Sequence, residues 1–169
     1  ASCATPNNAL PTQSGVDLDK YTGTWYEQAR LPNRFQDDCA GDVKVEYRRK
    51  PDNTISVTNQ CRTKDGSVKV AEGDGRLSGA ADPSDPSKLE VRFAPQWTSW
   101  LPMVWGDYWI LALPDDYRYV VIGEPSDEYR KVYEIVLRAN QVAFEAVLVD
   151  TEARQPSAAA NRVVIISLD

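Results

Sequence analysis

Two pairs of adjacent carboxylates, Asp37 with Asp38 and Asp115 with Asp116, are the side chains best suited by type to acid–base chemistry. Such chemistry needs two carboxyls whose surroundings push their pKa values apart. Both pairs fall in turn-rich segments, where solvated loop carboxylates are the ordinary state. The chain contains no histidine, so the usual general base, the commonest metal ligand and the usual haem ligand are all missing. That argues against a hydrolase triad and a zinc site, and no catalytic, metal or cofactor-binding residue is assigned. The three cysteines, Cys3, Cys39 and Cys61, show no metal-ligand spacing. The simplest partition is a Cys39–Cys61 disulfide with Cys3 left over. Two buried thiols are the alternative. A disulfide fits an oxidising compartment better than the cytosol.

The elements that must position these residues come from one domain, for which 169 residues suffice. The net charge of −6 argues against a nucleic-acid partner. Residues 1–15 are expected to be a flexible tether, rich in Pro, Asn, Ser and Thr, with the folded domain over 16–169. Ala1, Ser2 and Cys3 are similar to the small-residue end of a bacterial lipoprotein signal, which would make Cys3 a lipid-attachment site. A free thiol is the other reading. No stretch is long and apolar enough to form a membrane-spanning helix.

From Gly23 onward the chain reads as short strands divided by turn residues. Val43, Val45 and Tyr47 alternate with Lys44, Glu46 and Arg48, and Leu89, Val91 and Phe93 alternate with Lys88, Glu90 and Arg92. A period of two gives each strand one apolar and one charged face. Further strands are expected over 55–57 and beyond, 67–78, 108–113, 119–122 and 132–137. Pro51, Asp52 and Asn53 mark one hairpin, and Lys64, Asp65 and Gly66 another. Eight strands joined by brief turns predict an all-β fold, an eight-stranded antiparallel up-and-down barrel that leaves no open edge. Residues 141–154 carry apolar groups at Val142, Ala146, Val149 and Ala153, a helical spacing. A short terminal strand is expected over 163–168.

Gly23, Thr24 and Trp25 resemble the Gly-x-Trp signature that opens the first strand of lipocalins. The setting, from Asp19 to Tyr21 before it and from Gln28 to Pro32 after it, is similar to the bacterial outer-membrane lipocalins and apolipoprotein D. Asp116, Tyr117, Arg118 and Tyr119 are similar to the family's second conserved block, with Asp115 where its threonine usually stands. Arg138 falls where the family places an arginine across the barrel floor from the tryptophan. The resemblance covers residues 16–140 well and the remainder poorly. It implies a cup-shaped barrel that carries a small lipophile, with Gly23, Trp25 and Arg138 as structural parts of its floor. A guanidinium on an indole contributes about 0.5–2 kcal/mol.

Alternation from the charged outward residues gives an inward set: Ala29, Val45, Tyr47, Val57, Asn59, Leu77, Val91 and Phe93, with Tyr108 and Ile110 on the sixth strand. Glu27 and Glu134 are the odd inward charges. The loop after strand five holds Trp97, Trp100, Met103 and Trp105, which either line the mouth and touch ligand or membrane, or fold into the core. Cys39 and Cys61 would pin the rim. Tyr47, Asn59 and Tyr108 are available for hydrogen bonds in a largely apolar interior. The expected function is binding and transport or storage of a fatty acid, lysophospholipid or similar lipophile, in a secreted or envelope-bound protein. Membrane contact would run through Cys3 or the tryptophan loop. The alternatives are a lipocalin-fold enzyme acting on a lipophile and an interaction module using that loop.

Overall fold

A computed structural model describes residues 12–29, 38–79, 84, 86–93, 101, 104–123 and 162–166. A four-residue helix, α1 (Leu18–Tyr21), precedes β1 (Gly23–Ala29), β2 (Cys39–Arg49), β3 (Ile55–Thr63), β4 (Val68–Leu77), β5 (Lys88–Arg92), β6 (Gly106–Ala112), β7 (Tyr119–Gly123) and β8 (Arg162–Ile166). A helix of one turn cannot hold itself in water. This one is capped by Asp17, whose side chain accepts from the backbone N–H of Asp19 and Lys20, and is pinned by the buried Tyr21.

Strands β1 to β7 pair with their chain neighbours, each antiparallel to the next. Alternating side chains explain the curl: β2, β3, β5 and β6 each turn apolar residues to one face, and closing the sheet on itself covers that face. The ring is completed by β8, which lies between β1 and β7 and runs parallel to both. The all-β up-and-down architecture is therefore as the sequence indicates, with one correction. Among the described residues the antiparallel run has seven strands, and the closing place belongs to the segment expected as a short terminal strand. A parallel partner needs a long connection, and residues 124–161 lie between β7 and β8 in the chain. Arg162–Ile166 is rich in β-branched residues that favour a strand. The strand expected over 132–137 and the helix expected over 141–154 lie outside the described residues.

Tight turns fix the register. Between β3 and β4, Asp65 accepts from the backbone N–H and hydroxyl of Ser67, while Gly66 takes the positive φ of 87°. At the start of β1, Gly23 has φ 112°, a conformation that a side chain would strain. That gives the Gly-x-Trp glycine its physical reason. The core is one cluster, in which Trp25, Ile110, Val120 and Ile122 are the most completely buried members.

Candidate ligand-binding interior

The lower interior is packed solid. Trp25 on β1 is fully buried, and Val45 and Tyr47 on β2, Val57 on β3, Leu89 on β5, and Tyr108 and Ile110 on β6 surround it. Cross-strand register puts them on one face: Trp25 opposite Val45, Tyr47 opposite Val57, and Leu89 opposite Tyr108. Trp25 Nε1 donates to the Tyr21 carbonyl at 2.8 Å, so the indole has its partner without leaving the apolar layer.

Three phenols form the polar part of this floor. The Tyr108 hydroxyl lies 2.6 Å from that of Tyr21 and 2.7 Å from that of Tyr47. The Tyr21 ring also packs on Trp25 and Tyr47, at centroid distances of 5.0 and 5.6 Å. Burial pushes the Tyr47 hydroxyl well above the ordinary phenol range; its bond to Tyr108 works in the opposite direction, and the Glu27 carboxylate adds to the rise. Tyr108 is raised for the same first reason, burial, with its two phenol neighbours adding to it. Tyr47 and Tyr108 are therefore neutral at physiological pH, and Tyr108 bridges the other two hydroxyls in the floor. Tyr21 was not singled out from the sequence.

Above the floor the inner face stays accessible. Asn59, half-buried, lies opposite Val45 on one side and Ala71 on the other. Val91 is half-buried and faces Gly75. Along β4 the inner positions are Ala71, Gly73 and Gly75, so this wall projects little side-chain volume inward. A Cβ on Gly75 would meet Ile55 and Val57 at ordinary contact distance, confirming which way it points. Glu27 is half-buried on β1, on the same face as Trp25.

Other expected interior residues sit differently. Leu77, at the end of β4, is 37 % exposed, and Phe93, just past β5, is 43 % exposed. Alternation carries both beyond the covered part of the wall, where the strands end. Trp105 is a clearer correction. It lies against the guanidiniums of Arg76 and Arg92, at 3.9 and 5.1 Å from the ring centroid. Arg76 pairs in register with Glu90, and Arg92 with Asp74, on the face turned away from the core. Trp105 is thus an outer-wall residue, held by cation–π contacts rather than turned to the mouth. Arg92 itself is 2 % exposed and forms an ion pair with Asp74, which also binds Lys50. Ala29 contributes backbone pairing to β8. Cys3, Trp97, Trp100, Met103, Glu134 and Arg138 lie outside the described residues.

At the end opposite the floor, Cys39 and Cys61 form a disulfide with Cα atoms 5.7 Å apart. It ties the start of β2 to the far part of β3. Nearby, Lys69 pairs with Asp38 at 3.1 Å, both exposed. Asp115 and Asp116 are exposed, and Asp116 accepts from the Arg118 backbone N–H. Asp37 lies outside the described residues. Among the described residues, no group of three or more His, Cys, Asp or Glu converges as a metal site.

A closed, largely antiparallel ring with a sealed floor, an accessible upper wall and a cross-linked rim defines a calyx, the cup-shaped class of β-barrel. The lipocalin-like domain family matches residues 16–152. The chain belongs to that family, which binds small hydrophobic ligands and transports them. It is 37 % identical over 127 residues to temperature-induced lipocalin-1 of Arabidopsis thaliana, covering 74 % of this chain and 66 % of the plant protein. It is 33 % identical over 103 residues to mouse (Mus musculus) apolipoprotein D, covering 60 % of this chain and 48 % of that protein. The chain thus spans just under two thirds of the plant relative and about half of apolipoprotein D. A crystal structure of the cockroach allergen Per a 4 superposes with a TM-score of 0.47 at 20 % identity, covering 72 % of this chain and 64 % of the allergen.

Proposed function

We propose that the upper interior binds a small lipophile, a fatty acid, lysophospholipid or similar molecule, for transport or storage. The observation that supports this most directly is the split along the inner face. Its lower half is apolar and sealed, while Asn59, Ala71, Gly73 and Val91 above it remain partly accessible. An apolar chain entering from the rim would contact Ala71, Gly73 and Val91 above the sealed floor, with Asn59 as the hydrogen-bonding group. Burying ten methylenes is worth about 8 kcal/mol before ordering costs, which corresponds to micromolar binding. The Cys39–Cys61 disulfide supports an oxidising location outside the cytosol.

The test is a titration of delipidated protein with palmitate and with lysophosphatidylcholine, following tryptophan emission. Saturable quenching or enhancement in the micromolar range is expected. A flat response across both lipids, confirmed by native mass spectrometry, overturns the reading.

A further inference from the structure

Among the described residues, Lys69 is the only cation that strand register places on the inner face at the open end. Lys69 stands opposite Cys61, whose buried side chain shares its face with Val57 and Asn59 on β3. The next inner position on β4, Ala71, stands opposite Asn59, and the one after it, Gly73, stands opposite Val57 in the floor. Lys69 therefore tops the accessible wall, about 14 Å of extended strand above the floor.

Its side chain lies across the rim. Lys69 Nζ is 3.1 Å from the Asp38 carboxylate, and Asp38 directly precedes Cys39, the first residue of β2. Because β3 lies between β4 and β2, the ammonium reaches over β3 beside Cys61, the residue that the disulfide ties to Cys39. Both partners of the ion pair are well exposed, and a pair of this kind contributes little. An entering anion can take the place of Asp38 at small cost. A chain with an uncharged end leaves the pair as it is, whereas a chain with an anionic end gains the ammonium as a partner while its apolar part lies below. The other inward charge, Glu27, is on β1 and repels an anion from that side. Charge therefore favours the β4 side of the mouth for an anionic head.

We propose that Lys69 reads the head of the bound lipophile, so that the interior prefers a chain ending in anionic oxygens, a carboxylate or a phosphate. Asp38 is the competing partner that the head displaces. The assignment rests on the lipophile-binding reading of the interior and narrows its ligand class.

The experiment measures the affinity of delipidated protein for decanoate, decyl phosphate and decanol by titration calorimetry. At least one of the two anions should bind about threefold tighter than decanol, and the one that does separates a carboxylate head from a phosphate head. Lys69→Gln should bring that ratio to about one, Lys69→Arg should keep it, and Asp38→Asn should widen it about twofold. Acetate and inorganic phosphate, which carry the anion without the chain, should not displace the bound lipid at equal concentration. Circular dichroism reports that each variant stays folded. Equal binding of all three lipids overturns the head assignment and leaves the interior reading standing, whereas no binding of any of them overturns both. A preference that survives Lys69→Gln, or displacement by the free anions, also overturns the head assignment.

Discussion

Tyr108 stands between two other phenols, and all three are more than nine-tenths buried. Removing its hydroxyl leaves the Tyr21 and Tyr47 oxygens facing a carbon edge. Tyr108→Phe is therefore expected to lower unfolding free energy by about 1–3 kcal/mol, measured by urea titration, with the sheet signal in circular dichroism unchanged. The same trio sets an alkaline limit. Folded Tyr47 and Tyr108 hold their protons to a higher pH than an unfolded phenol, which titrates near pH 10. Their contribution is complete below that pH and is lost as pH rises above it. Unfolding free energy should fall above about pH 10, and the phenolate absorbance of these residues should rise only as the protein unfolds. Ionisation of all the tyrosines near the ordinary value with the fold intact would contradict this. Tyr47 and Tyr108 were legible because they lie on strands with period two. Tyr21 was not, because it belongs to a single helical turn that the alternation does not reach.

At the scale of elements, β4 and β5 show what alternation finds and what it misses. It assigned Val91 to the inner face and Glu90 and Arg92 to the outer one, as register has them. It gave no sign that Arg92 is buried on the outside of the barrel, because a charged outward residue in a sequence looks the same exposed or covered. Trp105 was misplaced for a related reason. The sixth strand begins at Gly106, two residues before Tyr108; extending the inward parity of Tyr108 back to Gly106 turns Trp105 outward, with Asp107 and Trp109. The ion pairs behind this wall have a measurable role. Burial raises the Asp74 carboxyl, but Lys50 and Arg92 outweigh it and hold the group below the ordinary carboxylate value. Its stabilising contribution is present above the unfolded carboxylate pKa and is lost as pH falls through the folded one. Asp74→Asn should cost about 2 kcal/mol at neutral pH, since Arg92 keeps its buried charge. The loss should shrink below about pH 4, where the parent carboxylate is itself being protonated. A cost that persists undiminished in acid would assign the effect to packing instead.

For the whole molecule, ring closure was legible in principle, and the strand that performs it was not. Eight short strands with hairpin turns point to a barrel, but alternation cannot tell which apolar segment fills the last gap. The run from Arg162 to Ile166 does so, contacting β1 from Trp25 to Ala29 and β7 from Tyr119 to Ile122. Its place has a consequence for association. Without it, β1 and β7 each present a row of unpaired backbone N–H and C=O groups, and bare edges of this kind pair with other chains. A variant ending at residue 161 should associate in a concentration-dependent way, seen by light scattering. Amide protons of Tyr26 and Val120 should exchange faster in it, whereas those of Val57 in the unaffected β2–β3–β4 region change little. A monomer with parental protection at Tyr26 and Val120 would show that the ring closes without β8. Association with protection lost only at those two edges would show that the last strand is what keeps the calyx a single closed molecule.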